Sequence, residues 1–260
     1  APDKKVDLPK MEACMRDHYE GTPLSLDKDI AQGIWDSPYR PTPLKFEVDG
    51  KQYFNERPIS TQQTGFSYIA QLRSWLPREI GGILWFGNDD GNMVAYVPIY
   101  CSNTERAECF NTPGADAVTF SDKNAFWVCN WVSNMVYPRY SQLFPALKEV
   151  RDSLDNAFLA AQKGVEAKAE ALYATDKAAA VKYLNDYSIQ KSNEMITRWR
   201  QLAIHLIVKF NDMAVKPEKD GKFLRTSTGL GERVKRTGYS DYFKRELVKQ
   251  TGDKFAVPNK

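Results

Sequence analysis

Histidine, paired cysteines, long apolar runs and net charge are all scarce in this chain. Two histidines stand among 260 residues, and the four cysteines include no Cys-x-x-Cys pair, which argues against a zinc site built from Cys and His. No apolar run is long enough to span a membrane. Lys and Arg total 36 against 33 Asp and Glu, so the chain lacks the basic footprint of a nucleic-acid-binding domain. We expect no metal, no cofactor, no nucleic acid and no membrane partner.

The cysteines leave two questions open. Cys101 and Cys109 lie on either side of a polar turn, where they could form a disulfide in an oxidising compartment or stay as free thiols. Cys14 and His18 are four residues apart in a helix predicted from Pro9 to Tyr19, so they could share a face as a nucleophile pair. A reactive cysteine needs an electropositive, partly open setting, which Met11, Glu12 and Met15 do not supply, so a structural role for both is favoured. Nothing in the sequence decides between a cytoplasmic and an exported protein.

Composition divides the chain into three parts. Residues 1–140 are rich in aromatics, proline and glycine and contain the strand-like runs, residues 141–215 have helical periodicity, and residues 216–260 form a polar, basic tail. Strands followed by long helices are typical of an α+β fold or a layered sandwich.

Three strand signals stand out in the first part. Residues 45–54 alternate on both sides of Asp49-Gly50, which predicts a hairpin. Residues 66–73 alternate between an apolar and a more polar face, and we expect the apolar face to meet the core. Residues 93–100 are almost continuously apolar, as in a strand covered on both faces.

Two helices are predicted in the second part. Apolar residues recur at helical spacing from Leu143 to Leu159, an Ala-rich charged stretch follows, and a second helix is predicted from Asp186 to Met213. The short gap between them predicts an antiparallel pair packed on itself or on the sheet.

Polar residues at two places are candidates for a site. Gln71 and Arg73 lie on the polar face of the 66–73 strand, and arginine is the natural partner of a carboxylate, in a substrate or in a structural salt bridge. Asn88 and Asp89 end another strand-like run at a turn, where either a functional loop or an ordinary turn fits the residue types.

Five colinear segments resemble one known family. The first segment, residues 15–22, reads Met-Arg-Asp-His-Tyr-Glu-Gly-Thr, and the second, residues 57–66, reads Arg-Pro-Ile-Ser-Thr-Gln-Gln-Thr-Gly-Phe. The other three are residues 71–77, 81–87 and 96–100. Together they resemble the dipeptidase A / secernin family of cysteine peptidases, densely from about residue 11 to 140 and more loosely beyond.

The resemblance implies a fold and a chemistry. It implies that residues 1–260 are the C-terminal part of one N-terminal-nucleophile hydrolase domain, a four-layer αββα sandwich that cleaves dipeptides. In that class the first residue after processing is a cysteine, whose thiolate attacks the peptide carbonyl while its own α-amine acts as the base. Ala1 stands at the start here, so the nucleophile is expected upstream, and the upstream half of the protein becomes a partner of this chain.

The resemblance also suggests roles for individual residues. Arg73 is expected to act in catalysis, by lowering the pKa of the thiol or by holding the substrate carboxylate, and Arg73→Ala is expected to lower turnover while leaving the fold intact. Gln71, Arg57, Asn88 and Asp89 are expected to contact the dipeptide. A homo-oligomer is left open. The alternative function is a binding or assembly module that keeps the hydrolase fold without the chemistry.

Overall fold

The structure, a computed structural model, describes residues 3–258 and has a mixed α and β composition. The strands are β1 (Lys45–Val48), β2 (Lys51–Phe54), β3 (Phe66–Leu72), β4 (Gly82–Asn88), β5 (Val97–Tyr100), β6 (Glu218–Lys219) and β7 (Lys222–Phe223). The helices are α1 (Leu8–Met15), α2 (Arg78–Gly81), α3 (Ala125–Val136), α4 (Tyr140–Tyr173), α5 (Lys177–Phe210) and α6 (Asp241–Thr251). The predicted α+β class is confirmed.

The chain divides into two compact units, each made from separate segments. Unit 1 contains the N-terminal segment up to Asp17, Pro58–Asn134 and Pro145–Ile204. Unit 2 contains His18–Arg57, Met135–Phe144 and the segment that begins at His205. That the 260 residues belong to one hydrolase domain stays a prediction.

Unit 1 is built on an antiparallel sheet with the strand order β3-β4-β5. In the β3–β4 register Phe66 pairs with Asn88 and Leu72 with Gly82. Strand β5 pairs with the first half of β4, which leaves β3 as an edge strand of this sheet.

The two faces of β3 are reversed relative to the expectation. The more polar face is the buried one, because side chains of α4 meet it: Gln162 Nε2 donates to Gln71 Oε1 at 2.9 Å. The apolar face, expected in the core, is open, with Phe66 59%, Tyr68 53% and Leu72 77% exposed. The prediction failed because alternation identifies two faces but not which of them a later helix will cover.

The long helices confirm the antiparallel pair. Lys191 Nζ of α5 lies 5.7 Å from the ring centroid of Phe158 in α4, and Lys168 Nζ of α4 lies 4.6 Å from that of Tyr183 in α5. The break falls earlier than predicted, since α5 begins at Lys177 rather than at Asp186. The Asp176 carboxylate explains the position, because it accepts from the backbone N–H groups that follow, at 2.9 and 3.0 Å.

Helix α1 is shorter than predicted. Asp7 caps its N-terminus by accepting from Lys10 N at 2.9 Å, and the helix ends at Met15. Because His18 lies beyond the end of α1, helical spacing does not place it on one face with Cys14. The helix ends where tertiary contacts fix the next side chain: Arg16 Nε donates to Gly91 O at 3.0 Å.

The buried run at 93–100 is only partly a strand. Residues 93–97 have no solvent exposure, but β5 begins only at Val97. Tyr96 N donates to Asp155 Oδ1 at 3.0 Å instead of to a neighbouring strand. Helix α3 was not predicted at all, although Val128, Val132 and Val136 recur every four residues within it and are fully buried.

In unit 2 the predicted hairpin is confirmed. Strands β1 and β2 pair antiparallel, and both turn residues, Asp49 and Gly50, have positive φ, as a tight two-residue turn requires. His18 is fully buried, with its Nδ1 3.0 Å from Glu20 Oε1 and its ring edge-on to Tyr39. This arrangement fits the structural role favoured for His18. In residues 3–258 no helix is long and apolar enough to cross a membrane.

Candidate active site and its surroundings

Arg73 is buried in an ion pair. Its side chain is 7% exposed, and Nη1 contacts Glu166 Oε1 of α4. Nε donates to Gly81 O and Nη2 to Ile80 O, both at 3.2 Å. A Cβ at Gly81 would lie 2.5 Å from the Arg73 carbonyl oxygen, so only glycine allows this approach. The guanidinium therefore connects β3, α2 and α4. Of the two roles considered for Arg73, a substrate contact and a structural salt bridge, this arrangement fits the salt bridge.

Gln71 belongs to the same buried network. Its Oε1 accepts from Trp85 Nε1 at 3.1 Å and from Gln162 Nε2 at 2.9 Å. Gln162 Nε2 also lies 3.0 Å from Glu166 Oε1, and Tyr100 donates to that oxygen at 3.4 Å. The network connects β3, β4, β5 and α4 through side chains whose polar atoms mostly form hydrogen bonds.

A cleft of about 740 Å³ opens beside this network. Arg73 contributes to its wall, together with Leu72, Ser74, Arg78, Glu79, Cys101 and Ser102. Volume alone would make this cleft the first place to look for a substrate. However, the Arg73 guanidinium is already paired, and Leu72, 77% exposed, brings an apolar surface to its rim.

The turn after β4 has different chemistry. Asp89 is fully buried and has a φ of 75°, in the left-handed region. Its N–H donates to Gly65 O at 2.8 Å, and its Oδ2 accepts from Ser133 Oγ of α3 at 2.6 Å. The buried atoms Asp89 Oδ1 and Asn88 Oδ1 have no hydrogen-bond partner within residues 3–258.

This arrangement is energetically unfavourable for a carboxylate. The pKa of Asp89 is raised to about 7: burial raises it most, the charge of the neighbouring Asp90 adds to the rise, and hydrogen bonds that include that from Ser133 offset part of it. An unsatisfied buried acceptor costs about 1–3 kcal/mol, and a non-glycine residue in the left-handed region adds strain. Costs of this kind are concentrated at functional sites.

Hydrogen bonds hold the rest of the turn in place. Asp90 Oδ1 accepts from Asn92 N at 3.2 Å and contacts Ser60 Oγ. Arg151 Nη1 donates to Asn92 O at 2.7 Å, and Arg16 donates to Gly91 O from the end of α1. The turn is thus fixed from several elements, while two acceptors at its start are left without donors.

The predicted site residues of unit 1 do not converge on one place. Leu72 and Asn88 lie at opposite ends of the paired strands β3 and β4, and a seven-residue strand spans about 20 Å. A dipeptide spans only about 7 Å, so it cannot contact the Gln71–Arg73 end and the Asn88–Asp89 end at once. Arg57 belongs to unit 2, where it is exposed and its carbonyl oxygen accepts from Tyr19 OH at 2.8 Å.

The four cysteines are free thiols. Cys14 and Cys101 are exposed, and Cys109 and Cys129 are buried. Burial raises the pKa of Cys109 to about 11 and that of Cys129 well above its usual value. A raised pKa suppresses the thiolate, so neither buried cysteine has the character of a nucleophile. No cluster of metal-binding side chains occurs within the described part of the chain.

Several residues that shape both ends of the sheet were missed. Ser133 reaches Asp89 from α3, and Glu166 and Gln162 reach Arg73 and Gln71 from α4. The signal for α4 was present, because Gln162 and Glu166 are four residues apart and share a helix face. Their partners on β3 lie about 90 residues away along the chain, which no local pattern reports.

Fold and site together describe an α+β protein with a helix-covered sheet and a strained acidic turn at one sheet end. Residues 1–153 match the model of peptidase family C69, and the chain belongs to that family. It is similar to a protein described as probable dipeptidase B from Streptococcus pyogenes serotype M1, with 22% identity over 205 residues. The match covers 79% of this chain and 39% of that protein, so the chain spans about two fifths of its relative's length. The resemblance to a dipeptidase family is thereby confirmed.

Proposed function

We propose that this chain is the C-terminal part of a cysteine dipeptidase whose nucleophile, an N-terminal cysteine, lies upstream of residue 1. Membership of residues 1–153 in peptidase family C69 carries the proposal, and the dipeptidase relative supplies the substrate class. The thiol passes its proton to its own α-amine and attacks the peptide carbonyl. The leaving amine takes that proton, and water then hydrolyses the acyl-enzyme.

The proposed fold is the four-layer αββα sandwich. Its support is the open apolar face of the unit 1 sheet, here called the outer face and defined by Phe66, Tyr68 and Leu72. Apolar patches of this kind mark interaction surfaces, and β3 beside it is an edge strand able to pair with another strand. We assign this surface to the upstream half of the protein, with a second copy of the chain as the competing occupant.

The substitution Leu72→Asp tests that assignment. In the isolated chain it should leave the melting temperature unchanged, since Leu72 is 77% exposed. In the longer protein it should lower both the melting temperature and the rate of dipeptide hydrolysis, because a charge would be buried between layers. Val118→Asp is the matched control at a 91% exposed apolar residue outside the sheet, and it should change neither quantity.

Two other results of this experiment would count against the assignment. If Leu72→Asp is harmless in the longer protein as well, the upstream half does not cover the outer face. If the isolated chain is a dimer that Leu72→Asp dissociates, a second copy occupies the surface instead.

Within the dipeptidase, the end of β4 is proposed to face the substrate. Asn88 and Asp89 contact the dipeptide, whereas Gln71 and Arg73 are positioning residues that hold β3 against α4. Arg57 stays a proposed substrate contact on its sequence position alone. The partners are therefore a dipeptide and the upstream half of the protein.

The alternative is a binding or assembly module that keeps the hydrolase fold without the chemistry. Burial raises the pKa of both Cys109 and Cys129, which is compatible with this module and with a dipeptidase whose nucleophile lies upstream. A longer protein that binds an unblocked dipeptide without hydrolysing it would support the module and contradict the dipeptidase.

A further inference from the structure

The cleft of about 740 Å³ adjoins the outer face of the unit 1 sheet. Leu72 belongs to the outer face and also lines the cleft. It pairs with Gly82 of β4, and on the other side of Gly82 the N–H of Cys101 donates to Gly82 O at 3.0 Å. These three residues form one row across the sheet, so the apolar surface continues from the outer face into the cleft.

The floor of the cleft consists of peptide backbone and a thiol. A Cβ at Gly82 would lie 3.1 Å from Cys101 Sγ and 3.8 Å from Leu72 Cδ2, so both side chains lie close to the Gly82 backbone on the same face. Cys101 is a free and exposed thiol. Because Gly82 has no side chain of its own, a group that enters the cleft contacts both Leu72 and the thiol.

Two large apolar side chains beside the cleft are largely exposed. Leu72 and Trp75 are each 77% exposed, and Trp75 stands in the chain between Ser74 and Leu76, which both line the cleft. Single exposed apolar residues are common on protein surfaces, but a group of them at a sheet face and a cleft marks an interaction surface. This end of the sheet therefore has the features of a surface that another segment covers.

The charged groups of the cleft favour an apolar occupant. Arg73 is already paired with Glu166, and the carboxylate of Glu79 accepts from Tyr173 OH at 2.9 Å. Arg78 and Glu79 have opposite charges, so the cleft has no net charge that would attract an ion. A charged group against the apolar wall would lose part of its hydration without compensation, whereas an apolar side chain gains by leaving water.

We propose that the upstream half of the protein inserts an apolar side chain into this cleft and encloses the Cys101 thiol. The inference rests on the proposed function, which supplies the upstream half, and it extends the covered surface past the outer face to the end of the sheet. The dipeptidase relative is more than twice as long as the stretch that matches this chain, so it contains the additional chain that such a contact requires. Cys101 is thereby assigned to an interface and not to catalysis.

Labelling of Cys101 with iodoacetamide, followed by mass spectrometry, tests this inference. In the folded longer protein Cys101 should react about 100-fold or more slowly than in urea, because labelling then requires local opening of the inserted segment. Ser74→Arg places a large charged side chain at the cleft from an exposed position, and it should reduce this protection to within a few-fold. Ser153→Arg on α4 is the matched control at an exposed serine outside the cleft, and it should leave the protection unchanged.

The outcomes separate this inference from the dipeptidase activity. If Cys101 reacts in the folded longer protein within a few-fold of its rate in urea, or stays protected in folded Ser74→Arg, the inference is overturned even when dipeptides are hydrolysed. Protection that is lost on dilution would assign the cleft to a second copy of the chain and also overturn it. Protection that Ser74→Arg removes, in a protein that hydrolyses no dipeptide, would support the contact and reject the dipeptidase activity. Melting curves of each variant confirm that it is folded.

Discussion

The variant Arg73→Ala is expected to lose about 3–5 kcal/mol of its free energy of unfolding, the usual cost of removing one partner of a buried ion pair. The Arg73 side chain is 7% exposed and that of Glu166 is 13% exposed. Removing the guanidinium also takes donors from the carbonyl groups of Ile80 and Gly81. The earlier expectation that the fold stays intact is therefore replaced by a large stability loss, measured as the midpoint of urea unfolding.

A double-mutant cycle and a surface control make this result specific. Arg73→Ala, Glu166→Ala and the double variant should be non-additive, since the second substitution removes a charge that the first left without its partner. Arg78→Ala, an exposed arginine of the same cleft, should stay within about 0.5 kcal/mol of the wild type. An unchanged midpoint in Arg73→Ala would contradict the positioning role and return Arg73 to the catalytic role expected from the sequence.

The free energy of unfolding is expected to fall as pH rises from about 4.5 to about 7, because three buried acids, Asp89, Glu12 and Asp155, hold their protons more tightly in the folded state. Burial raises the pKa of Asp89 from 3.8 to about 7 and that of Glu12 from 4.5 to about 7, with the charge of Asp155 adding to the effect on Glu12. Between those values the unfolded chain has released protons that the folded chain keeps, so stability decreases with pH and levels off above about 7. For Asp89 the change is on the order of 4 kcal/mol.

Variants with an uncharged amide show which carboxyl groups cause the decrease of the free energy of unfolding with pH. Asp89→Asn and Glu12→Gln should each flatten the decline, because the replacement amide does not titrate. Glu20→Gln is the control: burial raises the pKa of Glu20, but hydrogen bonds from His18 outweigh it and lower the pKa to about 2. The stability that the Glu20 carboxylate contributes is therefore lost only as pH falls below about 4.5. A decline that is equally steep in Asp89→Asn would show that this carboxyl ionises as freely in the folded state as in the unfolded chain.

Local patterns predicted the elements that depend on local chemistry. The hairpin at Asp49-Gly50 was found because a tight turn needs residues that tolerate positive φ, and both turn residues have it. The long helices were found from their periodicity, although the break at Asp176 was misplaced because the Ala-rich stretch continues the helical propensity on both sides.

Tertiary contacts decided what the patterns could not. Alternation in β3 gave two faces, but Gln162 and Glu166 of α4 determine that the more polar one is buried. The same limit applies to the site: Gln71 with Arg73 and Asn88 with Asp89 were selected as one set, yet the strand register places the pairs at opposite ends of β4. Ser133 could not be connected with Asp89 without knowledge of where α3 packs.

The central claim is that the catalytic thiol lies outside these 260 residues. The measurement is to treat the longer protein with iodoacetamide until dipeptide hydrolysis is lost, and to identify the labelled cysteine by mass spectrometry. The account predicts that inactivation follows labelling of a cysteine outside this chain, at the same rate in a variant with Cys14→Ser and Cys101→Ser, the two exposed cysteines. Loss of activity that follows labelling of Cys14 or Cys101, and that the double variant resists, would contradict it.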